Sequence, residues 1–138
     1  MQLKFLFFIF ILTVLGTSVS AQDSSKLSDT KKGKKGAIQY GVASFYSNSF
    51  QGKKTSSGEL FNQKKLTAAH NTLPLGTYIR VTNLKNGKSV VVKVNDRLHH
   101  RNKRLVDLSY AAAQKLGYVK SGLTRVKVEV LGKKPQLR

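Results

Sequence analysis

Val90-Val91-Val92-Lys93-Val94-Asn95-Asp96-Arg97 is the stretch from which the fold is read. Val90, Val92 and Val94 recur at every second residue, the period of a strand with one buried face. The pattern ends in three polar residues, Asn95, Asp96 and Arg97, which add little to an apolar core. A rigid strand end holds a carboxylate in a fixed direction, as action on a bound ligand requires. Two readings stand side by side. Either Asp96 is a catalytic acid that the domain exists to position, or Asp96 and Arg97 form a turn with a surface ion pair.

Around this stretch the signals favour further short strands. Tyr40 to Tyr46 is rich in aromatic and β-branched residues, and Thr77 to Thr82 alternates through Ile79 and Val81. Asn83 to Lys88 carries Asn86-Gly87, a two-residue hairpin signal, between that strand and the valines. Val126, Val128 and Val130 make a last strand, with Lys127 and Glu129 facing the other way. One helix is expected after Ser109, which can cap it, through Ala111-Ala112-Ala113 to Gly117, which can end it. Leu108, Ala112 and Leu116 would share its apolar face. A shorter helical turn is expected over Leu66 to His70. This many short strands with one or two short helices predicts a mainly β protein, a compact barrel.

The chain has 138 residues, room for one domain with short tails. Met1-Gln2-Leu3-Lys4 is a basic start, Phe5 to Leu15 is apolar apart from Thr13, and Val19-Ser20-Ala21 offers small residues. That layout predicts a secretory signal peptide over residues 1–21, cleaved after Ala21. Its apolar run is shorter than the roughly 20 residues that span a bilayer. Residues 22–36 are serine- and lysine-rich and read as a flexible basic linker. The folded domain is expected over 37–132, with a basic tail over 133–138.

There is no cysteine, hence no disulfide, no thiol nucleophile and no lipid-attachment residue. With 25 Lys and Arg against six Asp and Glu, the formal charge is +19, which attracts polyanions. An export leader makes nucleic acid the wrong compartment, so none is expected as a partner. Anionic cell-wall glycans, wall polymers or lipid head groups suit the charge better. A monomer is expected, in the periplasm or outside the cell.

Of the six acids, Asp23 and Asp29 fall in the linker. Asp107 precedes the helix, where a carboxylate suits the positive end of the dipole. Glu129 faces outward as a solvated charge. Glu59 and Asp96 remain without a structural task. His70, after an apolar run, is either a satisfied structural residue or a catalyst. His99 and His100 adjoin in a basic loop with no acid or cysteine at ligand spacing, so no metal site is expected. No serine sits in a Gly-x-Ser-x-Gly setting and no phosphate-cradling glycine loop occurs, so no cofactor is expected.

Gly41-Val42-Ala43-Ser44-Phe45-Tyr46, Thr55-Ser56-Ser57-Gly58-Glu59-Leu60-Phe61 and Leu66-Thr67-Ala68-Ala69-His70-Asn71-Thr72-Leu73-Pro74-Leu75-Gly76 succeed one another. Val81-Thr82-Asn83-Leu84, Asn86-Gly87, Val94-Asn95-Asp96-Arg97 and Asp107-Leu108-Ser109 continue the series. In this order the motifs resemble the RlpA (rare lipoprotein A) family, across about residues 39 to 131. The resemblance implies a six-stranded double-psi β-barrel, the fold of barwin and of the expansin domain. It also implies an endolytic peptidoglycan transglycosylase that prefers strands stripped of stem peptides. Carried over residue by residue, its catalytic groups fall on Glu59, His70 and Asp96. Beside them, Thr67, Asn95 and Arg97 are expected from their own chemistry as supporting, substrate-binding polar groups, and Tyr46 as an aromatic suited to sugar contact. Leu98-His99 stands where the family usually carries Gly-Pro. The lipid-attachment cysteine and the carboxy-terminal SPOR domain of many members have no counterpart here, so no lipoprotein is expected.

Such an enzyme needs one carboxyl group, unlike the paired acids of ordinary glycoside hydrolysis. Asp96 takes that part, and His70 orients it or the substrate. Arg97 opposes it, because a nearby cation disfavours the proton the reaction needs. Partial burial and the charge of Glu59 would offset this if Arg97 points away. The competing reading is an expansin-like module that grips glycan without cutting it.

Overall fold

The computed structural model describes residues 33–133. The expected signal peptide, most of the linker and the tail beyond Lys133 lie outside them. Six strands are formed: β1 (Ile38–Phe45), β2 (Thr67–Ala69), β3 (Tyr78–Asn83), β4 (Ser89–Asp96), β5 (Val106–Leu108) and β6 (Thr124–Gly132). They close into a barrel in the order β1-β5-β2-β4-β3-β6, as expected. Two pairs, β1 with β5 and β2 with β4, run parallel, and the other four are antiparallel. Closure gives every one of these strands a neighbour on both sides.

The valine stripe is the wall of the core. Val90, Val92 and Val94 of β4 face Val126, Val128 and Val130 of β6, with Ile79 and Val81 of β3 between them in one buried cluster. Burying each such side chain contributes roughly 1.5–3 kcal/mol. Glu129, expected to be solvated, instead pairs with Arg80 directly across β3 and β6, at 3.1 Å.

Helix α1 (Tyr110–Leu116) begins and ends where the sequence places it. The Ser109 hydroxyl accepts from the Ala112 N–H, and Gly117 stops the helix with a left-handed φ of 76°. Ala112, Ala113 and Leu116 are its buried residues. Asp107 does not serve the helix dipole. It lies in β5, and both its oxygens accept from Arg104, at 2.8 and 2.9 Å.

Two local expectations fail. Leu66 to His70 is not a helical turn: Thr67–Ala69 is β2, paired with β4 on one side and β5 on the other. Pairing with two neighbours outweighs the helical preference of Ala68 and Ala69. Nor is Asn86-Gly87 a two-residue hairpin. Five residues separate β3 from β4, and only Gly87 (φ 75°) has a positive φ there, so the doubled left-handed geometry of that turn is missing. Asn86 uses its side chain instead, donating to the Leu116 carbonyl at the end of α1.

Gly41 shows how tightly the wall is closed. A Cβ at this position of β1 would lie 2.6 Å from Leu105 Cβ. Gly41→Ala is expected to cost about 1–3 kcal/mol through overpacking, read as a lower urea midpoint with an unchanged slope.

Candidate active site

Asp96 reaches its place through an irregularity in β4. Ala68 pairs with Val94, but the next residue of β2, Ala69, pairs with Asp96, so Asn95 is an extra residue in the ladder. Such a bulge changes the phase of a strand and re-aims the residues beyond it. Val94 and Asn95 are both buried, and Asp96 is turned out of the valine stripe to line a groove of about 540 Å³. Phe45, Tyr46, Phe50, Leu98, His99 and Arg104 line it too, as does Asp107.

The carboxylate of Asp96 accepts from four donors. Its Oδ2 takes the Tyr46 hydroxyl at 2.6 Å. Its Oδ1 takes the Ser56 N–H at 2.9 Å, the Ser56 hydroxyl at 2.8 Å and the Arg97 N–H at 2.9 Å. Burial pushes this carboxyl up, yet the hydrogen bonds from Tyr46, Ser56 and Arg97 outweigh it and hold the group below the usual carboxylate range. Tyr46 is affected the other way. Burial first, then the hydrogen bond and charge of Asp96, raise its hydroxyl well above the ordinary value, so it stays a donor.

Tyr46 is fixed beneath the groove by rings. It packs 4.2 Å from Phe61 and 5.4 Å from Phe50, and with Phe61, Ala69 and Leu98 it forms a second, smaller apolar cluster. Leu98, at the departure from Gly-Pro, is buried in that cluster. Ser56 comes from the loop between Lys54 and Leu60, which bridge each other. A turn closed by the Gly58 N–H on the Thr55 carbonyl presents both Ser56 donors, with Gly58 at φ 87°. The Ser57 N–H on the Asn95 carbonyl ties the same loop to β4.

Glu59, the next of the expected residues, stands beside this loop attachment, its carboxylate 2.6 Å from Lys93 Nζ and 3.3 Å from Asn95 Nδ2. Lys93 holds it below its ordinary value, so its charge is spent on Lys93 rather than on raising Asp96. His70 is buried and does not line the groove. Its Nε2 is 2.8 Å from Gln39 Oε1, and its Nδ1 accepts from the Thr72 and Leu73 N–H groups. An accepting Nδ1 makes the ring neutral, with the proton on Nε2. The main-chain N–H of His70 donates to the Asp96 carbonyl.

Arg97 does point away from the Asp96 carboxylate: its Nη1 donates to the carbonyls of His70 and Leu73, at 2.6 and 2.7 Å. Thr67 and Asn95, expected beside the substrate, are buried and outside the groove lining. The bulge turns Asn95 inward, and β2 is enclosed between two strands. Sequence reasoning missed Ser56 as a partner of Asp96, since 40 residues separate them. It also missed the Arg104–Asp107 pair in the groove wall.

A match to the Lytic transglycolase family model covers residues 38–128, the whole barrel up to the middle of β6. The chain belongs to the lytic transglycolase family. Its similar relatives include the "Endolytic peptidoglycan transglycosylase RlpA" of Neisseria meningitidis serogroup A. That protein is 55% identical over 91 residues, 66% of this chain and 38% of the relative. The protein of the same name from Pseudomonas aeruginosa strain UCBPP-PA14 is 56% identical over 89 residues, 64% of this chain and 26% of the relative. The chain thus spans well under half the length of these relatives. Among solved structures, Streptomyces papain inhibitor superposes with a TM-score of 0.59 at 20% identity, over 72% of this chain and 98% of the inhibitor. The apo Clavibacter michiganensis expansin gives 0.56 at 24%, over 70% and 52%. These two share the fold of this domain, a double-psi β-barrel.

Asp96→Ala would leave the donors of Tyr46 and Ser56 without their acceptor. A loss of about 1–3 kcal/mol at neutral pH is expected from urea unfolding. Because the folded-state pKa lies below the unfolded one, wild type keeps this stability above the ordinary carboxylate range and loses it as pH falls through the lower, folded value. The gap between wild type and variant is therefore expected to shrink in acid.

Proposed function

We propose that this domain is an endolytic peptidoglycan lytic transglycosylase with Asp96 as its single acid and base. The observation that carries the reading is the half-buried Asp96 carboxyl, anchored on one oxygen and set in the wall of a groove. The activity for which the relatives with this barrel are named supports the substrate class. Protonated Asp96 gives its proton to the glycosidic oxygen after N-acetylmuramic acid, and the bond from C1 to that oxygen breaks. The carboxylate then takes the proton of the sugar's own 6-hydroxyl as that oxygen bonds to C1, closing an anhydro ring. No water is consumed. Tyr46 orients the carboxyl, Glu59 with Lys93 and Asn95 fastens the 54–60 loop to β4, and His70 and Arg97 hold the chain on either side of the reacting residue. The reading includes export, a monomer, and a cationic surface drawn to anionic wall or lipid surfaces.

Asp96 is ionised in the free protein at neutral pH, and a bound sugar must favour its proton. A glycan over the groove removes water and strengthens the upward push of burial. The alkaline limb of kcat, which reports the complex, is therefore expected at higher pH than that of kcat/KM, which reports the free protein. Coincident limbs would contradict this.

The strong donation to Asp96 also favours a second reading, a module that binds glycan without cutting it. Purified protein incubated with peptidoglycan sacculi separates the two. Release of anhydro-muramyl ends is expected from wild type, and Asp96→Asn is expected to lower it by about 10²–10⁴-fold while retaining binding. Binding without release by wild type would support the module, and undiminished release by Asp96→Asn would overturn the assignment.

A further inference from the structure

Three of the four donors to Asp96 converge on one oxygen, and two of those three come from one residue, Ser56. The Arg97 N–H is the carboxylate's own neighbour in the chain, and Tyr46 is locked between Phe61 and Phe50. Ser56 belongs instead to an exposed loop whose position is set by its attachments to β4. A carboxylate oxygen that accepts three hydrogen bonds has no room left for a proton. Oδ2, with the Tyr46 hydroxyl alone, does.

We propose that Ser56 is a positioning residue for the reaction: it anchors Oδ1 of Asp96 through two donors, so that Oδ2 is the oxygen that carries the proton and presents it to the sugar. This rests on the transglycosylase reading for its chemistry, but not for its geometry. Ser56 does not transfer the proton itself. Its hydroxyl favours the charged carboxyl and fixes the rotation about the bond to Cβ, so it acts on both the timing and the direction of transfer. A dedicated hydroxyl here also accounts for the Gly58 turn, which aims the N–H and the O–H of one residue at one atom.

Two variants and two measurements test this. Ser56→Ala removes the hydroxyl and keeps the N–H, and Ser56→Thr restores a hydroxyl at this exposed position. Carboxyl-carbon NMR on the free protein is expected to show Asp96 in Ser56→Ala titrating at higher pH than in wild type, with Ser56→Thr close to wild type. In turnover, Ser56→Ala is expected to lower kcat about tenfold through lost alignment and to move the alkaline limb of kcat/KM upward. Ser56→Thr is expected to reverse both. A Ser56→Ala protein in which Asp96 titrates as in wild type would overturn the proposal, as would a Ser56→Thr protein that matches Ser56→Ala. The NMR reading needs no substrate. A displaced titration with no turnover in wild type would therefore sink the enzymatic reading and leave the anchoring by Ser56 standing.

Discussion

At the Asp96 carboxylate, three separate parts of the chain are joined: the end of β1 through Tyr46, the 54–60 loop through Ser56, and β4 itself. A half-buried charge is costly unless it is hydrogen-bonded, and charge-assisted bonds are the stronger kind. With four donors the cost is met. The same bonds that make the charge tolerable define one wall of the groove and fasten the loop beside it. Structure and chemistry therefore pull on a single group: the bonds that hold the loop down also hold the proton off. Any ligand that covered the groove and removed water would shift that balance.

The barrel supplies the rigidity that this arrangement needs. A closed sheet with valines from β4 and β6 at its centre gives the C-terminal end of β4 little freedom. The bulge at Asn95 then converts an inward position into one that faces the groove. Behind it, the guanidinium of Arg97 is committed to two main-chain carbonyls and the ring of His70 to Gln39 and two N–H groups. The polar run at the strand end is thus mostly scaffold: Asp96 and Arg97 both line the groove, but the Arg97 guanidinium is held by main-chain carbonyls and the Asp96 carboxylate is the group left facing it. Glu59 and Lys93 neutralise each other at the loop's edge.

Patterns with a period or a cap were legible in the sequence. The alternating valines marked two of the walls, and Ser109 and Gly117 bounded the helix. The motif order pointed to the barrel and to Asp96. The features that escaped depend on partners distant in the chain. Thr67–Ala69 has no strand pattern of its own and is a strand because β4 and β5 flank it. Asn86-Gly87 has hairpin composition, but the side chain of Asn86 is drawn to the end of α1. The pairing of Ser56 with Asp96 leaves no trace in local composition. Neither does the bulge, without which strand alternation would turn Asp96 inward and Asn95 outward.

The central claim, that one carboxyl at Asp96 cuts glycan without water, is tested most directly by digesting peptidoglycan with the wild-type protein in 18O-labelled water. Mass spectrometry of the new ends is predicted to find anhydro-muramyl termini free of the label, because the ring closes with the sugar's own oxygen. Labelled reducing ends would mean hydrolysis, and intact glycan would mean binding alone. Either result would contradict the account.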